Sequence, residues 1–240
     1  MYKKFRFGLI VPSSNVVIEP EFYSIALENI GFYSSRVLHN ECTPNQLKKM
    51  GEFSQRAALE LSTINASTIL YAATSGSLIG GVDGEKDLRS RISKISGVPT
   101  ITAAGSVRDA LIFMKISKVN MFTPYIDEIN MREKEFLEKS GIKVLSFRGL
   151  GIVNSAEMAE VEPKFTIKKA FMLHQKNKEA QAMFLSCTNL RTFDIIDDLE
   201  RKIGVPVITS NQVSLWNLLK SVKLQKTIKG LGELFVKCKH

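Results

Sequence analysis

Cys187 is the residue of this chain best placed to do chemistry. It closes the apolar run Ala182–Cys187 and precedes Thr188-Asn189-Leu190-Arg191, where a helix is expected to begin. A thiol at such a junction can act as nucleophile or as proton donor and acceptor, and a helix N-terminus favours its thiolate. The competing reading is a free cysteine packed as a small apolar side chain. Thr74 and Ser75 stand at a similar junction, ahead of Gly76 and Ser77. Their hydroxyls and amides either hold a carboxylate and stabilise developing negative charge, or cap a turn. Tyr125, behind Pro124, can donate a phenolic proton to a substrate oxygen or serve packing alone. Asn15, in Pro12-Ser13-Ser14-Asn15, can contact a ligand or cap the following helix. Ser210-Asn211-Gln212 has the same two readings.

Other chemistries find little support. The cysteines Cys42, Cys187 and Cys238 form no CxxC, and His39, His174 and His240 are scattered. A metal site, an iron–sulfur cluster and a disulfide framework are therefore not expected. Neither a GxGxxG nor a Walker spacing is present, so no nucleotide cofactor is expected. Cys42, just ahead of a helix start, and Cys238, in the tail, read as structural or incidental.

Composition narrows the class further. The chain has 240 residues, 44% apolar and 24% charged, which is globular rather than disordered or fibrous. It is long enough for one large domain or two small ones. No apolar run reaches the roughly 18–20 residues that cross a bilayer, so no membrane partner is expected. The opening MYKKFRFGLIVP is basic and then apolar, but its apolar stretch stops at Pro12 without a small-residue cleavage site. It reads as a buried first strand rather than a signal peptide, and the expected compartment is the cytoplasm. The net charge of +9 is spread over the chain. Its densest part, Lys220, Lys223, Lys226, Lys229, Lys237 and Lys239, reads as one solvated face of an amphipathic helix. No nucleic-acid partner is expected, because aromatic stacking pairs and a basic Gly-rich loop are missing.

The elements that must position these residues alternate. Strands are expected at Phe5–Val11, Phe32–Leu38, Thr68–Ala73, Pro99–Thr102, Ser117–Phe122, Ile142–Phe147, Ala182–Cys187 and Val205–Thr209. Helices are expected at Glu19–Asn29, Gly84–Ile95, Ser106–Ile116, Asp127–Lys139, Arg191–Ile203 and Gln212–Val222, with more helix within 155–180. After Cys42, Thr43-Pro44-Asn45-Gln46 starts another helix, whose apolar stripe is Leu47, Met50, Phe53, Ala57, Leu61 and Ile64. The class is α/β with parallel sheet.

An internal duplication organises the whole. GVPTIT at 97–102 matches GVPVIT at 204–209, GLIVP at 8–12 matches NMFTP at 120–124, and LYAAT at 70–74 matches FLSCT at 184–188. Three matches in one order, at nearly one offset, imply two equivalent halves of about four strands each. Ligands of parallel sheets bind beyond the carboxyl ends of the strands. If the halves face one another, the Pro12–Asn15, Thr74–Ser77, Tyr125 and Cys187–Asn189 segments share one cleft, suited to a small carboxylate.

Together the segments GLIVPSSNVVIEPE at 8–21, YAATSGS at 71–77, PYIDEINMREKEFLEKSGIKV at 124–144 and FLSCTNLRTFDIIDDLERKIGVPVITSNQVSLW at 184–216 resemble the aspartate/glutamate racemase superfamily, in its branch of maleate cis-trans isomerases and arylmalonate decarboxylases. The resemblance implies two Rossmann-like halves related by a pseudo-twofold axis, with the active site between them and no metal or organic cofactor. It implies a discontinuous first half, 1–104 plus 211–240, a second half, 105–210, and a homo-oligomer, a dimer by family habit. It places the family's second cysteine on Cys187, its first-loop asparagine on Asn15, its site tyrosine on Tyr125 and a further asparagine on Asn154. Substrate contacts are expected from Pro12, Ser13, Asn15, Ala73, Asn154, Thr188 and Asn189, with Thr74 and Ser75 as catalytic donors. At the first cysteine's position stands Ala73, which the duplication independently matches to Cys187. A methyl group neither takes a proton nor attacks an alkene. The expectation is therefore a decarboxylase-like lyase on a malonate-type acid, its enediolate protonated by Cys187 alone. The alternatives are a maleate cis-trans isomerase and a non-catalytic carboxylate-binding protein.

Overall fold

The computed structural model describes residues 4–25 and 27–237; Cys238, Lys239 and His240 lie outside the described residues. In chain order come β1 (Phe5–Pro12), α1 (Ile18–Ser24), β2 (Ile30–Val37), α2 (Pro44–Ser62), β3 (Thr68–Tyr71), α3 (Thr74–Leu78), α4 (Gly81–Ser96), β4 (Thr100–Thr102) and α5 (Ala103–Phe113). The chain continues with β5 (Lys118–Thr123), α6 (Asp127–Lys139), β6 (Lys143–Gly149), α7 (Pro163–Lys176), β7 (Ala182–Leu185), α8 (Ile196–Ile203), β8 (Val207–Thr209), α9 (Ser210–Ser221) and α10 (Gly232–Lys237). The strands form two four-stranded sheets, ordered β2-β1-β3-β4 and β6-β5-β7-β8. Every pairing is parallel. These are the two Rossmann-like halves expected from the duplication.

Burial explains the strand sequences. Residues Phe7, Leu9, Ile10 and Val11 of β1 and Met183, Phe184 and Leu185 of β7 are fully enclosed. Helices cover both faces, so these strands read as continuous apolar runs rather than alternating ones. The GVPxIT repeat has a structural meaning. Gly97 and Gly204 take the left-handed conformation, φ 68° and 75°, and end α4 and α8. The next residues enter β4 and β8, and Thr102 and Thr209 then cap α5 and α9 by accepting from the Gly105 and Gln212 amides. One six-residue motif thus encodes a helix stop, a strand and a helix start.

Helices α5 and α9 join the halves. They pack on one another, and α9 also touches β3 and β4 while α5 reaches β8. The Asn217 amide donates to the Ser106 hydroxyl at 3.1 Å.

Four details differ from expectation. Helix α1 stops at Ser24 instead of continuing to Asn29, which sits at φ 62° at the entrance to β2. Phe53 of the α2 stripe is exposed. The expected lysine-faced helix ends at Ser221: Lys223 turns left-handed at φ 56°, and the Lys223 and Leu224 amides donate back to the Lys220 and Leu219 carbonyls. That pair of bonds is a Schellman stop, which leaves the following lysines outside the helix. Cys187, finally, is not at a helix start, because residues 186–192 form a loop and α8 begins only at Ile196.

Candidate active site

The carboxyl ends of the two sheets meet around a cavity of about 30 Å³. Its walls include Pro12, Ser14 and Asn15 beyond β1, Ala73, Thr74 and Ser75 beyond β3, Tyr125 beyond β5, and Cys187, Thr188 and Asn189 beyond β7. Two loops close it. The loop after β2 brings His39 and Cys42, and the segment after β6 brings Ser155 and Met158. The loops pair antiparallel at Glu41 and Asn154, with the Cys42 amide donating to the Val153 carbonyl at 2.8 Å and the Ser155 amide to the Asn40 carbonyl at 2.9 Å. A wider cleft of about 510 Å³ between α2 and α4 is lined without any thiol.

Most of the expected residues therefore converge, and hydrogen bonds across the halves fix them. The Asn15 amide donates to the Thr188 hydroxyl at 3.0 Å, which donates to the Ala72 carbonyl at 3.0 Å. Asn15 Oδ1 accepts from the Val17 and Ile18 amides at the start of α1. The Thr74 hydroxyl donates to Ser210 Oγ at 2.8 Å, and Ser210 Oγ also accepts from the Cys187 amide at 3.0 Å. The Asn189 side chain donates to the Ser155 carbonyl at 2.7 Å and accepts from the Val16 amide at 2.9 Å. Asn15, Thr188 and Asn189 thus tie the two halves together around the cavity.

Two expected residues are outside it. Ser13 exchanges hydrogen bonds with the backbone of His39 and positions that loop. Asn154 is exposed and bonds Glu157 and the Ala156 amide; its neighbour Ser155 lines the wall in its place.

Cys187 has a backbone φ of 117°, a region that non-glycine residues seldom occupy. Its thiol is pushed up to about 12 by burial, opposed by hydrogen bonds from the Tyr125 hydroxyl and the Asn189 amide. The helix-terminus effect expected from the sequence is absent because no helix starts here. So buried, Cys187 is a neutral thiol, suited to giving a proton. Cys42 is likewise pushed up to about 12 by burial, and its thiol donates to Ser75 Oγ at 3.5 Å. Glu133 of α6 lies behind the site, wholly buried, accepting from the Ser186 hydroxyl at 2.7 Å. Burial raises it to about 8, so it keeps its proton at neutral pH. Among the described residues no group of three or more His, Cys, Asp or Glu side chains could hold a metal ion.

A family model described as arylmalonate decarboxylase matches residues 7–235. The chain belongs to that family. It is an enzyme of the aspartate/glutamate racemase superfamily, in the branch holding maleate isomerases and arylmalonate decarboxylases. The chain is 27% identical over 247 residues to a maleate isomerase of Geobacillus stearothermophilus, covering 98% of both chains. It is 26% identical over 232 residues to the arylmalonate decarboxylase of Bordetella bronchiseptica, covering 95% of both. The fold superposes with a TM-score of 0.90 on a maleate isomerase variant from Pseudomonas putida S16 solved with maleate, at 24% identity, covering 96% of this chain and 97% of that one. The candidate site carries cysteines at 42 and 187 and alanine at 73.

His39, Cys42, Ser155, Met158 and Glu133 carry no sequence motif that marks them as site residues. The rule that ligands sit beyond strand ends covers β2 as well, and would have flagged His39 and Cys42. Ser155 and Glu133 carry no local signal.

Proposed function

We propose that this protein is a cysteine-dependent isomerase of a small unsaturated dicarboxylate of the maleate class, with Cys187 exchanging a proton at a carbon beside a carboxylate. One observation carries the preference over an aryl substrate. Ser14 Oγ, His39 Nδ1 and Ser155 Oγ are buried without hydrogen-bond partners, and all three belong to residues lining the cavity. Maleate brings two carboxylates and no further bulk to such atoms, whereas an arylmalonate must also seat a ring among them and leave those it faces unpaired, at about 1–3 kcal/mol each. The curated maleate isomerases and the one solved with maleate support the same reading.

Among the described residues, no lysine or arginine lines the cavity. A dianion is therefore held by hydroxyl, amide and backbone donors, with His39 as the group able to add charge. Burial lowers His39 to about 4. A carboxylate beside it favours the imidazolium and raises that value. A cavity of about 30 Å³ holds little more than a water molecule. Substrate binding thus requires the walls to widen, and the paired Glu41 and Asn154 loops border the site where they can give.

Isomerisation needs the alkene to become a single bond for a time. A nucleophile adds to one alkene carbon and a proton to the other; Cys187 supplies the proton and takes it back. Tyr125 and the Asn189 amide stabilise the thiolate left between those steps.

Decarboxylation remains a second reading on one observation, the alanine at 73, since protonating an enediolate needs a single thiol. Proton NMR in heavy water separates the two. The isomerase reading predicts fumarate from maleate and no carbon dioxide loss from phenylmalonate or methylmalonate. Loss of carbon dioxide from a malonate, with maleate untouched, would refute it.

A further inference from the structure

Resting on that isomerase reading, we propose that Cys42 is a second catalytic thiol, the nucleophile that faces Cys187 across the cavity. The missing thiol at Ala73 has been replaced from a different loop.

The approximate twofold relation between the halves carries the placement. Ala73 corresponds to Cys187, and by the same offset Ser75 corresponds to Asn189. The antiparallel bridge between Glu41 and Asn154 makes those two residues equivalent, so Cys42 corresponds to Ser155. On the second side Ser155 is tied to Asn189, whose backbone amide donates to Cys187 Sγ at 3.3 Å. On the first side Cys42 is tied to Ser75, two residues beyond Ala73, by the 3.5 Å thiol–hydroxyl contact. Cys42 therefore stands over the Ala73 loop as Ser155 stands over the Cys187 loop. Both cysteines line one cavity, and negative charge on Cys187 disfavours charge on Cys42. Ser75 is placed to stabilise the Cys42 thiolate by hydrogen bonding.

The chemistry balances with these two groups. With the loops apart, Cys42 loses its proton to bulk water and substrate enters. The thiolate adds to one alkene carbon, forming a carbon–sulfur bond. The π electron pair moves to the neighbouring carbon and its carboxylate, and Cys187 gives that carbon its proton. Rotation about the new single bond follows. The Cys187 thiolate then removes the proton, the alkene re-forms, and the carbon–sulfur bond breaks with its electron pair returning to Cys42. Neither oxidant nor cofactor is consumed.

The test uses the full chain with maleate in heavy water. Cys42→Val keeps an apolar wall of similar size, so packing alone would leave activity intact. We expect fumarate production to fall by about a hundredfold or more in Cys42→Val, with the circular dichroism spectrum and melting temperature kept near those of the parent. In Cys187→Ser, where water must supply the proton to the adduct and no thiolate is present to take it back, we expect tandem mass spectrometry to find one maleic acid added to the Cys42 peptide. Parental activity in Cys42→Val, or an unmodified Cys42 in Cys187→Ser, would overturn the proposal while the isomerase reading stands. A parent enzyme that leaves maleate unchanged would overturn both.

Discussion

Ala73 and Cys187 hold equivalent positions in the two halves, yet their backbones differ: φ is −144° at Ala73 and 117° at Cys187. The duplicated fold has thus kept the strand ends and broken the symmetry at the thiol. The strained conformation at Cys187 is held by the Ser210 hydroxyl on its amide and by the Leu190 amide on its carbonyl. Positive φ costs a non-glycine residue on the order of 1–3 kcal/mol. Cys187→Gly should therefore be more stable than Cys187→Ala by about 1 kcal/mol, while both lose turnover. Urea unfolding of the two variants checks the order; equal midpoints would show that the turn is unstrained.

Asn15 links α1 to the Cys187 loop. Its Oδ1 accepts from the Val17 and Ile18 amides and its amide donates to Thr188. Asn15→Ala removes a helix cap and a bond across the halves. It should cost about 1–2 kcal/mol and lower turnover by freeing Thr188. Asn15→Asp keeps the acceptor, so it should recover the cap and much of the stability without the Thr188 bond. Thermal unfolding of both variants, read beside their rates, separates the two contributions.

Glu133 sets a pH dependence of stability. Burial raises it from 4.5 to about 8 in the folded protein. Between those values the folded state holds a proton that the unfolded chain has released. Its contribution is therefore complete below about pH 4.5 and is lost as pH rises through about 8, at roughly 1.4 kcal/mol per pH unit. Glu21, raised by burial to about 7, acts in the same direction over a narrower window. Glu133→Gln should flatten the fall and exceed the parent's stability above pH 8. Urea midpoints from pH 5 to 9 test this, and parallel curves would contradict it.

His39 is expected to set substrate choice through its unpartnered Nδ1. His39→Leu should raise the KM for maleate about tenfold or more, with a smaller effect on kcat. His39→Gln, which keeps a polar side chain, should fall between. Unchanged KM in His39→Leu would remove this residue from the binding site.

The large-scale architecture was legible because it is written in strong local signals. Continuous apolar runs marked the buried strands, and the GVPxIT repeat marked a glycine stop, strand and threonine cap twice over. The cavity's first wall was legible for the same reason: Pro12, Asn15, Thr74, Ser75, Tyr125 and Cys187 follow those strands directly. The second wall was not. His39, Cys42 and Ser155 lie on irregular loops whose pairing through Glu41 and Asn154 is a tertiary event with no periodicity. Asn154 was displaced by one residue for that reason, since neighbours in a bridge point to opposite sides. The state of Cys187 was misjudged because a loop, rather than a helix start, follows β7.

The central claim is that a small dicarboxylate lies between the halves against Cys187. Alkylation of Cys187 by iodoacetamide, timed by peptide mass spectrometry with and without saturating maleate, tests it most directly. Bound maleate should slow modification of Cys187 at least about tenfold. Equal rates in both conditions would place the ligand elsewhere and contradict the account.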